Sequence, residues 1–159
     1  MSVEIKLASK DQLKDVAELA FQIWHQYYPE IIGVNQVEYM LNKFYHLDAL
    51  IQQNKEGQQF YIIQNNHQKI GFCSVSKKDE NNLFIHKLYV KESDKGIGSK
   101  IIQWLIQEYS PKSMKLTVNR QNFKAINFYF KNGFKIQEIA DFDIGNGYVM
   151  NDFIMIKEC

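Results

Sequence analysis

The sequence predicts an α/β fold with a mixed, mostly antiparallel sheet of about seven strands and helices on both faces. Short segments of alternating apolar residues recur along the chain, and segments with helical periodicity separate some of them. A block of consecutive strands in the middle of the chain leads into a strand–helix–strand succession. Because hairpins make neighbouring strands antiparallel and a helical crossover makes them parallel, the sheet is expected to be mixed. A length of 159 residues allows a substantial core, so we assign residues 1–159 to a single domain.

The N-terminal part of the chain is predicted to contain one short strand followed by helices. Residues 3–7 alternate between apolar and polar side chains, which predicts a strand. A capping-box pattern at Ser9 begins a helix, and Pro29 ends it. Residues 34–54 predict a second, less regular helical region that is broken near His46.

Three strands and a helix occupy the middle of the chain. The first two strands are joined by an Asn-Asn turn signal, and the three strands are Gln59 to Gln64, Lys69 to Ser76 and Leu83 to Val90. Residues from Gly96 to Tyr109 have helical periodicity, and the following Ser-Pro pair ends that helix.

The last part of the chain alternates again between strands and one helix. The predicted strands are Met114 to Val118, Phe134 to Ile139 and Tyr148 to Lys157. The predicted helix covers Phe123 to Lys131, begins after Asn122 and closes at Gly133.

Composition and charge narrow the classes of partner. A net charge of +1 gives no basic field for nucleic acid. The two cysteines, Cys73 and Cys159, lie far apart and match neither a metal site nor a disulfide framework, so a reducing, cytoplasmic setting is expected. The N-terminus lacks an apolar signal core, and no apolar run approaches the roughly 20 residues that span a bilayer. We therefore expect no nucleic-acid and no membrane partner.

The stretch LFIHKLYVKESDKGIGSKIIQ combines an extended apolar run, a polar loop and an amphipathic helix opened by Gly96 and Gly98. Backbone N–H groups at the start of a helix bind anions, and glycine lets an anion approach the backbone closely. This pattern predicts a phosphate site. A dinucleotide fingerprint would require a small residue where Ile101 stands, and the order of GIGSK does not fit a P-loop. Taken alone, the glycines are also consistent with a plain turn.

A second motif, N-x-x-A-x-x-F-Y-x-x-x-G-F, begins at Asn122 and includes Tyr129. The asparagine is typical of a helix N-cap, and the Gly-Phe end is typical of a helix C-terminus followed by a core aromatic residue. Phe123, Ile126 and Phe130 are predicted to form the apolar stripe of this helix, with Tyr129 beside it. A phenol at that position needs a hydrogen-bond partner or solvent, and a structural role remains open.

Together, KLYV…KGIGSKI, NxxAxxFYxxxGF and the order of elements over nearly the whole chain resemble the GNAT superfamily of acetyl-CoA-dependent N-acetyltransferases. The resemblance implies the GNAT-like acyl-CoA N-acyltransferase fold, with acetyl-CoA as cosubstrate and no metal. Asn122 matches the residue that contacts the cofactor arm, and Tyr129 matches the general acid that protonates the leaving thiolate. The resemblance also implies pantetheine contacts with the backbone of Leu88, Tyr89 and Val90, and diphosphate contacts around Lys95, Gly96, Ile97, Gly98 and Ser99.

The chain departs from the family pattern at two places. Phe84 stands where many members carry a glutamate on the strand before the glycine loop. His86 lies two residues further on the same strand face and is the candidate base in its place, directly or through water. The alternative is a half-buried strand histidine satisfied by a neighbour. Ser93 stands in a shortened loop where the family has Gln or Arg, and it is kept among the candidate cofactor contacts.

The acceptor pocket is expected at the end of the first helix and near the last two strands. In the resembling family this helix end often lines the acceptor pocket, which here makes candidates of Trp24, Tyr27 and Tyr28. The chain ending is similar to that of some polyamine acetyltransferases, and its acidic residues, Asp152 among them, could attract a cationic amine. Core or rim packing for the aromatic residues, and a turn role for the acidic ones, remain open.

The first hypothesis is therefore an enzyme that moves acetyl from acetyl-CoA to a primary amine by direct attack in a ternary complex. The amine is a small molecule such as a polyamine, or a peptide amine. The alternative is a non-catalytic CoA or acyl-CoA-binding sensor or regulatory module, and a third hypothesis is a protein-interaction domain. Dimers are frequent in the resembling family, so a homodimer is among the expected states.

Overall fold

The computed structural model describes residues 3–91 and 96–159. The strands within these residues are β1 (Val3–Leu7), β2 (Gln59–Asn65), β3 (Gln68–Lys77), β4 (Asn82–Val90), β5 (Ser113–Asn119), β6 (Lys135–Gly145) and β7 (Tyr148–Glu158). The α-helices are α1 (Leu13–Tyr27), α2 (Pro29–Ile32), α3 (Val34–Phe44), α4 (Leu47–Lys55), α5 (Ile97–Tyr109) and α6 (Phe123–Lys131).

The strands form one sheet in the order β1-β2-β3-β4-β5-β7-β6. Strands β4 and β5 are parallel, with Leu83 opposite Met114, because helix α5 carries the chain between them. The pairs β1–β2, β2–β3, β5–β7 and β6–β7 are antiparallel. The predicted mixed sheet of seven strands with helices is therefore confirmed.

The chain divides into two compact units, each with its own buried side chains. The first unit runs to Ser76 and includes His86–Ile101, and the second comprises Lys77–Ile85 and Ile102–Cys159. Large side chains that are fully buried in the first unit are Leu13, Leu50, Phe60, Ile63, Phe72, Ile97 and Ile101. Those of the second unit are Leu83, Ile102, Leu105, Met114 and Leu116.

The helices of the first unit begin and end largely where the sequence predicted. The N–H of Ser9 donates to Gln12 Oε1 at 2.9 Å, which is half of the expected capping box. Helix α1 ends before Pro29, and the break near His46 separates α3 from α4. Helix α2 was not predicted, and it forms because proline is favoured at the first position of a helix, where no backbone N–H is needed.

Two predictions for the second unit were wrong. Strand β6 continues to Gly145 instead of ending at Ile139, because its acidic residues pair with β7 in a long hairpin; Asp143, for example, lies opposite Val149. The stripe of α6 was also assigned wrongly, since Phe123 and Phe130 are 69% and 47% exposed. Ile126 and Tyr129 are the buried residues of this helix.

Candidate active site

The end of strand β4 is closely packed against strand β3 in the first unit. A Cβ atom on Gly71 would lie 2.4 Å from the carbonyl oxygen of Tyr89 and 3.0 Å from the Cα of Val90. The N–H of Lys91 donates to the carbonyl oxygen of Ile70 at 2.7 Å. Glycine at position 71 thus lets the backbone of the predicted pantetheine-binding segment, Leu88–Val90, approach its neighbour closely.

The start of helix α5 lies in the same unit. Gly96 has φ of +71°, and a Cβ there would meet nothing within 4 Å. Ile97 begins the helix and is buried, so only its backbone can contact a ligand, whereas Gly98 and Ser99 are half-buried. Amide groups in the first turn of a helix have no intrahelical acceptor and point toward an incoming anion. Ser93 and Lys95, also predicted cofactor contacts, lie outside the described residues.

Five aromatic rings, here called the aromatic cluster, pack together beside β4: Trp24, Tyr28, Tyr45, Phe72 and Tyr89. Trp24 stacks on Tyr28 with 4.5 Å between ring centroids, and Tyr28 meets Tyr89 edge-to-face at 6.0 Å. Trp24 and Tyr45 are buried, and burial raises the pKa of the Tyr45 phenol. Tyr28 and Tyr89 are half-buried and form the accessible side of the cluster.

The three predicted acceptor-site residues of α1 and its C-terminus occupy different environments. Trp24 is 4% exposed and serves as a core side chain of the aromatic cluster. The hydroxyl of Tyr27 donates to the carbonyl oxygen of Lys91 at 2.5 Å, which ties α1 to the end of β4. Tyr28 alone combines partial exposure with membership of the cluster. Tyr45 and Tyr89 are also members of the aromatic cluster. The sequence did not predict the ring of either as a contact of the acceptor-site residues.

His86 lies half-buried on β4, and its Nε2 atom is 2.7 Å from the hydroxyl oxygen of Ser76. The hydroxyl can donate to an unprotonated ring nitrogen or accept from a protonated one, so it fixes the ring orientation in either state. The geometry matches the alternative stated from the sequence, a strand histidine with a hydrogen-bonding neighbour.

Lys87 is a buried cation that sequence reasoning missed. It is 7% exposed, and its Nζ atom donates to Gln53 Oε1 at 2.8 Å and to Gln58 Oε1 at 3.1 Å. Burial lowers its pKa to about 7. The alternation of β4 could have indicated the burial of this lysine. Residues 83, 85 and 87 share one face of the strand, and the first two are apolar.

Tyr129 and Asn122 belong to the second unit. Tyr129 is 8% exposed, and its ring packs edge-to-face on Phe128 and Phe134 at centroid distances of 5.1 Å and 5.4 Å. Asn122 caps α6, because its Oδ1 atom accepts from the N–H of Ala125 at 3.3 Å. The cap and the aromatic packing hold the tyrosine side chain in one orientation.

Asp152 is a buried carboxylate on β7, 2% exposed. Arg120 donates to its backbone oxygen at 3.0 Å and forms an ion pair with Asp141 at 2.8 Å. Burial raises the pKa of Asp152 to about 6, although the guanidinium of Arg120 and a hydrogen bond from Thr117 act in the opposite direction. Near pH 7 this buried side chain is therefore mostly ionised.

Residues 3–91 and 96–159 contain no group of three or more His, Cys, Asp or Glu side chains placed to hold a metal ion. Among the helices within these ranges, none is long and apolar enough to cross a membrane.

Comparison with known proteins identifies the relatives of this chain. Residues 56–136, just over half of it, match the family model described as an acetyltransferase (GNAT) domain. A protein from Thermoplasma acidophilum named spermidine N(1)-acetyltransferase is 26% identical, and the match covers 99% of this chain and 98% of that protein.

Solved structures give the same result for the fold. The PaiA N-acetyltransferase of Thermoplasma acidophilum in complex with coenzyme A has a TM-score of 0.81 and 25% identity, and the match covers 100% of both chains. A GCN5-related N-acetyltransferase from Rhodopseudomonas palustris has a TM-score of 0.80 at 15% identity, over 100% of this chain and 97% of that one. The fold expected from the resemblance is thereby confirmed.

Proposed function

Because the chain belongs to the GNAT acetyltransferase family and is an acetyl-CoA-dependent N-acetyltransferase, we propose that its acceptor is a primary amine. The family match carries this proposal. We further propose that residues 1–159 form one acetyltransferase domain and that the protein works in a reducing, cytoplasmic setting, which suits its free cysteines.

The reaction forms one bond and breaks another. It also moves one proton away from the amine and one proton onto the sulfur. The neutral amine nitrogen attacks the thioester carbon, the carbon–sulfur bond breaks, the amine gives up a proton and the sulfur receives one. An amine with pKa of about 10.4 is neutral in only about one molecule per thousand near pH 7.4. A base within the complex therefore recovers up to about 4 kcal/mol of the barrier.

Acetyl-CoA supplies the activated acyl group, and we propose that two backbone segments hold it. The first-turn amides of α5, from Ile97 to Ser99, would hold the diphosphate, and the open space beside Gly96 supports this assignment. The backbone of Leu88–Val90 would hold the pantetheine and polarise the thioester carbonyl. Ser93, Lys95 and Asn122 complete the proposed cofactor contacts.

We assign the general acid to Tyr129. Its fixed aromatic surroundings would keep the hydroxyl in place without solvent, and proximity makes even a weak acid effective. The base is proposed as His86, oriented by Ser76. A pH–rate profile of His86→Gln that overlays that of the unsubstituted enzyme would remove this histidine from the mechanism.

The acceptor class that we propose is a cationic amine of the polyamine type. The relative named spermidine N(1)-acetyltransferase supports it, and so do two features of this chain. The half-buried rings of Tyr28 and Tyr89 offer aromatic faces that attract a cation. The ionised carboxylate of Asp152 offers an opposite charge. A peptide amine is the second candidate; Tyr27 would then shape the rim of the site, and Trp24 would support the aromatic cluster from the core.

An assay of thiol release from acetyl-CoA across a panel of amines tests the proposal. We expect release with polyamines, with a kcat/KM at least tenfold above that for peptides with a free N-terminus. Release with peptides only would move the acceptor class to the second candidate. Cofactor binding without release from any amine would support the sensor module, which the family match disfavours.

A further inference from the structure

Lys87 is a buried positive charge for which the described residues supply no carboxylate partner. The amide oxygens of Gln53 and Gln58 accept from its Nζ atom at 2.8 Å and 3.1 Å. The rings of Tyr45 and Phe60 each lie 5.5 Å from the same atom. Amide oxygens and aromatic faces stabilise an ammonium group, but they carry no net charge. Buried ions in proteins are ordinarily paired with an opposite charge, and residues 3–91 and 96–159 place none beside this ammonium group.

The charged residues around this site do not replace the missing counter-ion. Those of α4 and the residue after it are all exposed: Asp48, Lys55 and Glu56. The phenol of Tyr45 is neutral because burial raises its pKa. On strand β3 the neighbour is Ser74, an uncharged side chain that donates to Gln58 Oε1 at 2.9 Å. No charge among the described residues that surround Lys87 neutralises its ammonium group, which can therefore attract an anion that binds nearby.

The position of Lys87 in the chain places its charge near the segments that we propose to bind acetyl-CoA. It directly precedes Leu88–Val90, and Val90 lies about 10 Å further along the strand. The first turn of α5 belongs to the same unit. Two unit charges on the order of 15 Å apart, at an effective dielectric constant near 20, change an affinity roughly sixfold.

We propose that Lys87 is an electrostatic positioning residue for acetyl-CoA, whose buried ammonium attracts the anionic cofactor to Leu88–Val90 without touching it. The inference rests on the proposed function, which assigns the cofactor to this strand and to the start of α5. Because the pKa of Lys87 is about 7, the side chain is charged mainly below that pH, and the effect should depend on pH. Because an anion favours the protonated lysine, linkage requires the affinity to fall as pH rises through that value.

The test measures the Kd of desulfo-CoA, which has no thiol to titrate, by calorimetry at low ionic strength at pH 6 and pH 9. Lys87→Met keeps an unbranched apolar side chain that ends where the lysine has its Cε, and it removes the ammonium group and its charge. We expect it to bind at least threefold more weakly than the unsubstituted protein at pH 6 and equally at pH 9. Titration of the phosphates of the ligand is common to both proteins and cancels in this comparison.

A second variant supplies a counter-ion to Lys87 and leaves the lysine itself in place. Gln53→Glu puts a carboxylate where the amide oxygen accepts at 2.8 Å, so it should also weaken binding at least threefold at pH 6. Lys55→Met, an exposed lysine on the same helix, is the matched control and should change the Kd less than twofold.

The outcomes separate this inference from the proposed function. Binding by the unsubstituted protein with a Kd that neither Lys87→Met nor Gln53→Glu changes at pH 6 would overturn the role of Lys87 alone. Equal weakening by Lys87→Met at both pH values would do the same, since it would indicate lost packing. No binding of desulfo-CoA by the unsubstituted protein would overturn the proposed cofactor site together with this role.

Discussion

The stability of this protein should depend on pH through Lys87, and Lys87→Met should remove that dependence. The lysine has a pKa of about 7 in the folded chain against 10.5 as the reference value. Below pH 7 the side chain is protonated in both the folded and the unfolded states, and the folded state bears the full cost of the buried charge. Between pH 7 and 10.5 the unfolded state binds more protons, so the free energy of unfolding rises with pH.

The magnitude follows from the size of the pKa shift. A difference between 10.5 and about 7 corresponds to about 5 kcal/mol over the whole interval. Between pH 6.5 and pH 9, where most proteins remain soluble and intact, the expected gain is about 2 to 3 kcal/mol. Lys87→Met lacks this gain. At pH 6.5 methionine also avoids a buried charge, which offsets the unsatisfied amide oxygen that it leaves on Gln53.

Urea unfolding at pH 6.5, 7.5 and 9 measures this difference directly. The free energy of unfolding of the unsubstituted protein, minus that of Lys87→Met, should increase steadily with pH. All other titrating groups are shared by the two proteins and cancel in the subtraction. Lys55→Met, which removes an exposed lysine of α4, should give a difference that does not change with pH. A constant difference for Lys87→Met as well would refute the reasoning.

Three further predictions concern the site. Tyr129→Phe should lower kcat at least tenfold with little change in the Kd of desulfo-CoA, and an unchanged kcat in a thiol-release assay would exclude its role as acid. Gly71→Ala should reduce stability by about 1–3 kcal/mol and weaken desulfo-CoA binding. The new Cβ would lie 2.4 Å from the carbonyl oxygen of Tyr89, so an unchanged thermal midpoint and Kd would contradict that contact. Asp152 has a pKa of about 6, so the KM for a polyamine should fall as pH rises through that value. Asp152→Asn should raise KM at least tenfold at pH 7.5 and remove this pH dependence, whereas an unaltered KM profile would exclude the residue from acceptor binding.

Much of the fold was predictable because it rests on local patterns. Residues 59–64 and 69–76 are strand-like and flank an Asn-Asn turn signal, and the predicted hairpin formed there. The extension of β6 to Gly145 was not predictable in the same way. Its sequence DFDIG is typical of a loop, and only pairing with β7 makes it a strand.

The candidate site was also predictable only where it depends on local patterns. The glycines before α5 identify a helix start that suits an anion, because conformational freedom at Gly96 is a property of the residue itself. Helical periodicity misplaced the buried face of α6, because Phe128, Tyr129 and Phe130 are consecutive aromatic residues and each of them is apolar enough to be core. Burial of Tyr129 and exposure of Phe123 depend on what packs against the helix.

The sequence by itself determined the order of strands and helices, the helix start at Gly96 and the motif around Tyr129, because dihedral preference, capping and periodicity are carried by neighbouring residues. The tertiary structure alone decided the surroundings of individual side chains. It placed Lys87 among neutral partners, oriented His86 against Ser76 and buried Asp152 beside Arg120. These effects arise from desolvation and from contacts between residues distant in sequence, neither of which a local pattern can encode.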